Sequence, residues 1–234
     1  MAERGVVDVW ALGAASFAQC ARLAADVLSE EERKRAERLV RAEDREQFRA
    51  THVQLRLLGS QLGLGRPESI RIERGDFGRP AFVQPECEDR LHFSLSHTRG
   101  LTVYAFAWGQ RVGIDVEGQR TIPFRAAIAR RIFSAEEAEE YDQVPEPDQE
   151  RAFFNGWTRK EALLKAVGIG LTGRMDEVVV SLDPRRTARV IRLGSTHFGA
   201  GPWSIHELAM PDGFVAALAV EGDDVRVRGP EWLG

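Results

Sequence analysis

Two acids sit two residues apart in the segment GIDVE, residues 113–117. In an extended chain, residues i and i+2 point to the same face, so Asp115 and Glu117 are neighbours in space. A strand that buries that face has no use for two unpaired carboxylates, because uncompensated buried charge is costly. A second charged pair lies in WTRKEALLKAVGIGL, residues 157–171, where Glu161 and Lys165 share one helix face. The surrounding Phe153, Phe154, Trp157, Leu163 and Leu164 make this helix too apolar to be fully exposed. Three carboxylates drawn together with nothing between them repel, and a divalent cation removes that conflict.

Three carboxylate oxygens joined by oxygens of a diphosphate would form a hard, roughly octahedral Mg2+ site. No His/Cys cluster points to zinc. Each element also has an ordinary alternative. GIDVE ends at Gly118 and Gln119, which suit a polar turn, and Glu161 with Lys165 is also the pattern of a surface ion pair. His97 in FSLSHT (residues 93–98) could donate to a phosphate oxygen or serve as a structural strand-end histidine. Arg79 in GRP is open to the same two readings. The run GIGLTG, residues 168–173, matches G-x-G-x-x-G, but the dinucleotide fingerprint needs a strand before it and a helix after it. Here a helix precedes and strands follow. Neither GxxxxGK[ST] nor GxSxG occurs.

The elements that must position these residues follow from periodicity and punctuation. VVDVWAL reads as a strand and SFAQCARLAADVL as a short helix. Ser29 and Glu32 form an S-x-x-E capping box, and a helix through EDREQFRATHVQLRLLGSQLG stops at glycine. SIRIE is a strand, DFGRP a turn built on Gly78 and Pro80, and LHFSLS, LTVYAFAW and RVGIDVE are three consecutive strands. A second capping box, Ser134 with Glu137, opens FSAEEAEEYDQV. A loop with Pro145 and Pro147 leads into the helix QERAFFNGWTRKEALLKAVG. EVVVSL, TARVIRL, WSIHEL and FVAALAV close the pattern as strands.

Length and composition bound the rest. The chain has 234 residues, 43% hydrophobic and 29% charged, with a net charge of −4. That is an ordinary globular composition without the overall basicity of a nucleic-acid binder. The arginine-rich stretch 32–45 could hold phosphates, or be a solvated helix laced with i,i+4 pairs. Cys20 and Cys87 alone make neither a metal framework nor a disulfide scaffold. MAERGVVDVW lacks a signal peptide's apolar core, and no apolar run approaches the roughly 20 residues needed to cross a bilayer. The expectation is a cytoplasmic protein with reduced thiols and no membrane association.

The two halves look like copies. Ser29 and Ser134 are offset by 105 residues, and Leu57-Leu58 and Leu163-Leu164 by 106. Gly63 and Gly65 correspond to Gly168 and Gly170. The expected fold is therefore α+β, with two similar lobes (1–110 and 111–234) packed about a pseudo-twofold and a cleft between them. Where the second copy has Glu161 and Lys165, the first has Leu55 and Gly59, so chemistry is expected on the second copy.

Taken in order, GRP, FSLSHT, GIDVE and WTRKEALLKAVGIGL resemble the motif series of the 4'-phosphopantetheinyl transferases, most closely the pseudodimeric, surfactin-synthetase-activating type. The resemblance runs from about residue 5 to 220. It implies transfer of the phosphopantetheine arm of coenzyme A to a serine of an apo acyl or peptidyl carrier protein, with Mg2+ required and adenosine 3',5'-bisphosphate released. It further implies that Asp115, Glu117 and Glu161 bind Mg2+, and that Arg79, Ser96, His97 and Lys165 hold the coenzyme A phosphates, with Asp115 also at the cofactor. Glu161 and Lys165 would be the catalytic pair, with Glu161 or a metal-bound water taking the serine proton. Arg45, Arg49 and His52, at i, i+4 and i+7 on one helical face, are the candidates for the 3'-phosphate, with Arg35 a further possibility. The chain departs from the family's commoner pattern here, since Glu46 and Gln47 interrupt the arginines and Arg79 stands where many relatives have lysine. The two-lobed type implies a monomer. A coenzyme A- or carrier-binding module without turnover, and another Mg2+-dependent phosphoryl-transfer enzyme, are the competing readings.

Overall fold

LTVYAFAW is apolar on both faces and so needs cover on both. The structure, a computed structural model describing residues 4–75, 78–85, 89–169, 175–194 and 196–234, supplies it. This strand, β5 (Leu101–Trp108), lies between β1 (Val6–Gly13) and β4 (Leu91–Thr98), and β11 (Arg226–Leu233) completes the sheet in the order β11-β1-β5-β4. Leu101, Val103, Ala105 and Ala107 face a second sheet. That sheet is β6 (Val112–Gly118), β10 (Phe214–Glu221) and β9 (Trp203–Leu208), in the order β6-β10-β9. On the other side of β5, Tyr104 and Phe106 pack with Leu55 and Leu58 of helix α4 (Ala42–Gln61). The second sheet's outer face is covered by α7 (Glu146–Val167), where Val215, Ala217 and Ala219 meet Ala162, Leu163 and Ala166. The order of layers is therefore helix, sheet, sheet, helix, an α+β arrangement.

The element order repeats. The first half runs β1, α3 (Glu30–Glu37), α4, the hairpin β2 (Ile72–Arg74) with β3 (Pro80–Phe82), then β4 and β5. The second runs β6, α6 (Ala135–Gln143), α7, the hairpin β7 (Val178–Val180) with β8 (Val190–Leu193), then β9 and β10. Strand orders β1-β5-β4 and β6-β10-β9 correspond, and every pairing in both is antiparallel. Both capping boxes form at matching places. Glu32 N donates to Ser29 Oγ at 3.2 Å and Glu137 N to Ser134 Oγ at 3.3 Å, each with the reciprocal carboxylate bond.

Several details differ from the sequence reading. The segment 16–28 is not one helix but α1 (Phe17–Ala21) and α2 (Ala24–Val27). Helix α7 starts at Glu146, with Pro147 in its first turn, where the missing N–H removes no helical bond. Helix α5 (Arg125–Ile132) was not anticipated. Nor was β11, which returns from the end of the chain to pair in parallel with β1. Cys20 is buried and free. Cys87, Gly170, residues 76–77 of the DFGRP turn and the last four residues of GIGLTG lie outside the described residues.

Candidate functional site

Alternation along β6 divides its side chains between two environments. Val112, Ile114 and Val116 enter the core between the sheets. Gly113, Asp115 and Glu117 take the opposite face, under α7. Gly113 is the point of closest approach, since a Cβ there would lie 2.0 Å from the Ala162 carbonyl oxygen and 2.5 Å from Ala166 N. Only glycine lets the helix backbone settle this low, and doing so brings the Glu161–Lys165 face onto the acids of the strand.

The contacts that result are charged and mostly buried. Lys165 Nζ donates to Asp115 Oδ1 at 2.6 Å and to Ser96 Oγ at 2.8 Å, and Ser96 Oγ in turn donates to Asp115 Oδ1 at 2.8 Å. Asp115 is 5% exposed and Glu161 6%. Burial, reinforced by the negative charge of Asp115 and more weakly by that of Glu117, pushes the Glu161 carboxyl up to about 7 against the pull of Lys165. Two carboxylate oxygens, Asp115 Oδ2 and Glu161 Oε1, are buried without a hydrogen-bond partner. Glu117 accepts from Arg120 Nη1 at 3.0 Å.

The expected trio of acids is thus adjacent but not drawn into one shell. Among the described residues no group of three His, Cys, Asp or Glu side chains is gathered as a metal site. The physical reason is that each acid outside a shared shell seeks its own compensation. Asp115 takes Lys165, Glu117 takes Arg120, and Glu161 has its carboxyl raised. The two orphaned oxygens are hard donors of the type a divalent cation such as Mg2+ prefers, so the donor set fits.

A cleft of about 690 Å3 opens beside this cluster. Its walls come from α3 and α4 (Arg35, Phe48, His52), the 78–80 turn, β4 (Leu95, His97) and the end of α7 (Lys165, Gly168). His97 faces the cleft, and enclosure by its walls, with the nearby charge of Lys165, holds the imidazole below its ordinary value. His52 stacks on Phe48 at 4.1 Å, with Arg35 over the other ring at 5.5 Å, and its Nδ1 lies 3.3 Å from Glu32 Oε1. Burial works to raise Glu32, but hydrogen bonds from His52, Arg56 and Ser29 prevail and bring it to about 2.

Three positions depart from expectation. Arg45 caps the turn before α4, donating to the carbonyls of Leu39 at 2.8 Å and Val40 at 2.9 Å. Neither Arg45 nor Arg49 lines the cleft: although the three share one helical face, Arg45 is turned back to the carbonyls before α4, and of the three only His52 lines the cleft wall. Arg79 lines the cleft but directs its guanidinium at backbone, donating to Ala166 O at 2.5 Å and Val112 O at 3.0 Å. Arg79 therefore ties α7 to β6, and burial with the like charge of Arg111 lowers it to about 10. The cleft also takes Arg41, from the arginine-rich stretch 32–45, and gains Arg74 and Arg99, which the sequence reading missed. Arg99 directly follows SHT, and that adjacency was an available signal.

The neighbouring Lys160 has a different task. Its Nζ is fully buried 2.6 Å from Glu137 Oε2, and it also donates to the carbonyls of Met175 and Val178. In the first half, Leu55 is core and a Cβ on Gly59 would touch Ile70 and Phe82, so that copy has no room for an equivalent charged pair.

Residues 111–219 match the sequence profile of the 4'-phosphopantetheinyl transferase superfamily. The chain is 34% identical over 199 residues to the 4'-phosphopantetheinyl transferase HetI of Nostoc sp. (strain PCC 7120), covering 85% of this chain and 80% of that protein. It is 30% identical over 156 residues to the 4'-phosphopantetheinyl transferase Sfp of Bacillus subtilis (strain 168), covering 66% of each. It is 29% identical over 165 residues to the L-aminoadipate-semialdehyde dehydrogenase-phosphopantetheinyl transferase of Schizosaccharomyces pombe, covering 66% of this chain and 64% of that one.

Proposed function

The chain belongs to the 4'-phosphopantetheinyl transferase superfamily, and we propose that it transfers the phosphopantetheine arm of coenzyme A to a serine of an apo acyl or peptidyl carrier protein, with Mg2+ bound and adenosine 3',5'-bisphosphate released. One observation carries this reading. A Ser96–Lys165–Asp115 triangle with Ser96 and Asp115 buried and Lys165 half-buried, flanked by two orphaned carboxylate oxygens, stands at a cleft edged by arginines and histidines. A polyanionic ligand whose diphosphate needs both a cation and a point charge suits that arrangement.

Asp115 and Glu161 would hold Mg2+ through Oδ2 and Oε1, and Glu117 would join them on exchanging its bond to Arg120. When bound, the metal would neutralise charge on the diphosphate and its leaving group. Lys165 places a point charge beside the same oxygens. His97, Arg35, Arg41 and Arg99 line the cleft and would receive the remaining phosphate charge, and Phe48 with His52 lies beside them. In the transfer, the carrier serine oxygen bonds to the phosphorus that bears the arm. The bond from that phosphorus to the adenosine bisphosphate oxygen breaks, and the departing oxygen leaves with the electron pair. Glu161 takes the serine proton as general base.

Incubation with coenzyme A, Mg2+ and a panel of apo carriers from fatty-acid, polyketide and nonribosomal peptide systems tests the proposal by intact mass. At least one carrier serine should gain the arm. A panel that this chain leaves unmodified, while a control transferase modifies it in parallel, would overturn the reading.

A further inference from the structure

The two sheets meet at β4 and β6, which are the terminal strands in the orders β11-β1-β5-β4 and β6-β10-β9. A terminal strand presents N–H groups that no ladder satisfies, and buried N–H groups require a partner. No strand pairing joins β4 to β6 among the described residues. Side-chain hydroxyls bridge the gap instead. Ser94 Oγ accepts from Ile114 N–H at 3.1 Å, and Thr98 Oγ1 accepts from Gly118 N–H at 3.3 Å. Between them Ser96 Oγ donates to Asp115 Oδ1. These three hydroxyls occupy alternate positions of FSLSHT and so share one face of β4. The outer two grip backbone on either side of the acids, and the middle one grips an acid itself.

Apart from the side chains of Arg79 and Lys165, which reach both strands, the remaining contact between the sheets is apolar. Val112, Ile114 and Val116 pack among Leu101, Val103 and Leu218. Apolar contact is non-directional, so it holds the sheets together without fixing how far one slides along the other. Pairing with β10 fixes β6 within its own sheet but not against β4. The directional restraints on the slide are the hydroxyl bonds between the strands, joined by Arg79, which donates to Phe93 O of β4 and Val112 O of β6, and by Lys165, which bridges Ser96 and Asp115. We propose that Ser94 and Thr98 are positioning residues for the transfer reaction: they set the offset of the acid-bearing strand against the cleft wall, so that Asp115 and Glu117 meet a diphosphate lodged beside His97 and Lys165. This rests on the transferase reading above.

Four variants test it: Ser94→Ala, Thr98→Val, the double variant and Thr98→Ser, each followed by transfer kinetics and by Mn2+ binding to metal-free protein read by electron paramagnetic resonance. Displacements of about 1 Å near a reacting centre lower rates by roughly 100-fold, so the double variant should lose about 10- to 100-fold in kcat. Its KM for coenzyme A should stay within about threefold, because the charged side chains of the cleft are untouched and Ser94 is the one lining residue changed. Mn2+ binding should weaken about tenfold, a loss of one decade in affinity. Thr98→Ser, which keeps the acceptor, should restore the single-site loss. The proposal is overturned if Thr98→Val and the double variant keep wild-type kcat and Mn2+ affinity, or if Thr98→Ser is as impaired as Thr98→Val. Should the wild type transfer nothing to any carrier, the reaction itself has been misread, while the Mn2+ measurements still decide whether the hydroxyls place the acids.

Discussion

Glu161→Gln separates what a site needs from what a stable fold needs. Glu161 is 6% exposed, and its carboxyl rises from 4.5 to about 7 through burial and the charge of Asp115. The unfolded chain therefore ionises this group near 4.5, while the folded metal-free protein retains the proton until about 7. Between those values the folded state binds more protons, so its stability falls as pH rises, and the loss is complete above about 7. With about 1.4 kcal/mol for each pH unit between the two, the full penalty is about 3 kcal/mol. Glutamine keeps the shape and removes the ionisation. Denaturant unfolding in the presence of a chelator, at pH 5, 6, 7 and 8, should show the variant gaining progressively on the wild type, up to about 3 kcal/mol at pH 8. For a chain of this size that corresponds to roughly 6–12 °C in Tm. Transfer should meanwhile fall by at least about 100-fold, the usual contribution of a positioned acid or base. A stability difference that stays constant with pH, or a variant less stable than wild type at pH 8, would refute the reasoning.

Three further perturbations probe the supports of the site. Gly113→Ala forces α7 off β6, since the added Cβ would meet backbone at 2.0 Å; it should cost at least about 3 kcal/mol and abolish transfer, as read by thermal unfolding and the mass assay. Glu137→Gln leaves the fully buried Lys160 ammonium without its anion and should cost about 3–5 kcal/mol by denaturant unfolding. Arg79→Ala strands the carbonyls of Ala166 and Val112; a loss of about 3 kcal/mol is expected, with Arg79→Lys recovering only part of it because a single ammonium cannot copy the fork.

Much of this arrangement was legible in the sequence, and for identifiable reasons. Both capping boxes are short-range signals, and both form. The strands flanking the site were visible because period-2 patterning and glycine turns are local. The facing of Asp115 and Glu117 followed from alternation, and Gly113 belongs to the same alternate set, so its contact with a helix backbone was open to inference from GIDVE itself. What stayed hidden was decided by distant parts of the chain. Arg79 chose backbone carbonyls supplied by residues 33 and 87 positions away. Strand β11 carries Arg226, Arg228, Pro230 and Glu231 on an exposed edge, a composition typical of a protected edge strand and easily read as loop. Arg74 and Arg99 escaped notice because they reach the cleft from β2 and from the turn after β4, segments that no local pattern brings together.

The contrast between Lys160 and Glu161 bears on function more directly than any single contact. They are adjacent on α7, and both are buried. Lys160 receives full compensation from a carboxylate and two carbonyls, as expected of a buried charge retained for structure. Glu161 has an orphaned oxygen, and its burial, with two further acids nearby, lifts its proton affinity instead of suppressing it. Selection for stability alone had an easy remedy, and the first half displays it: Leu55 and Gly59 fill the matching turn with core. Local rules broken at one position, beside a neighbour that obeys them, mark a site where stability is sacrificed to chemistry. On the proposed transferase reading, the compensation missing from the chain is what the ligands would bring: a divalent cation for the carboxylates, and phosphates for the arginines across the cleft.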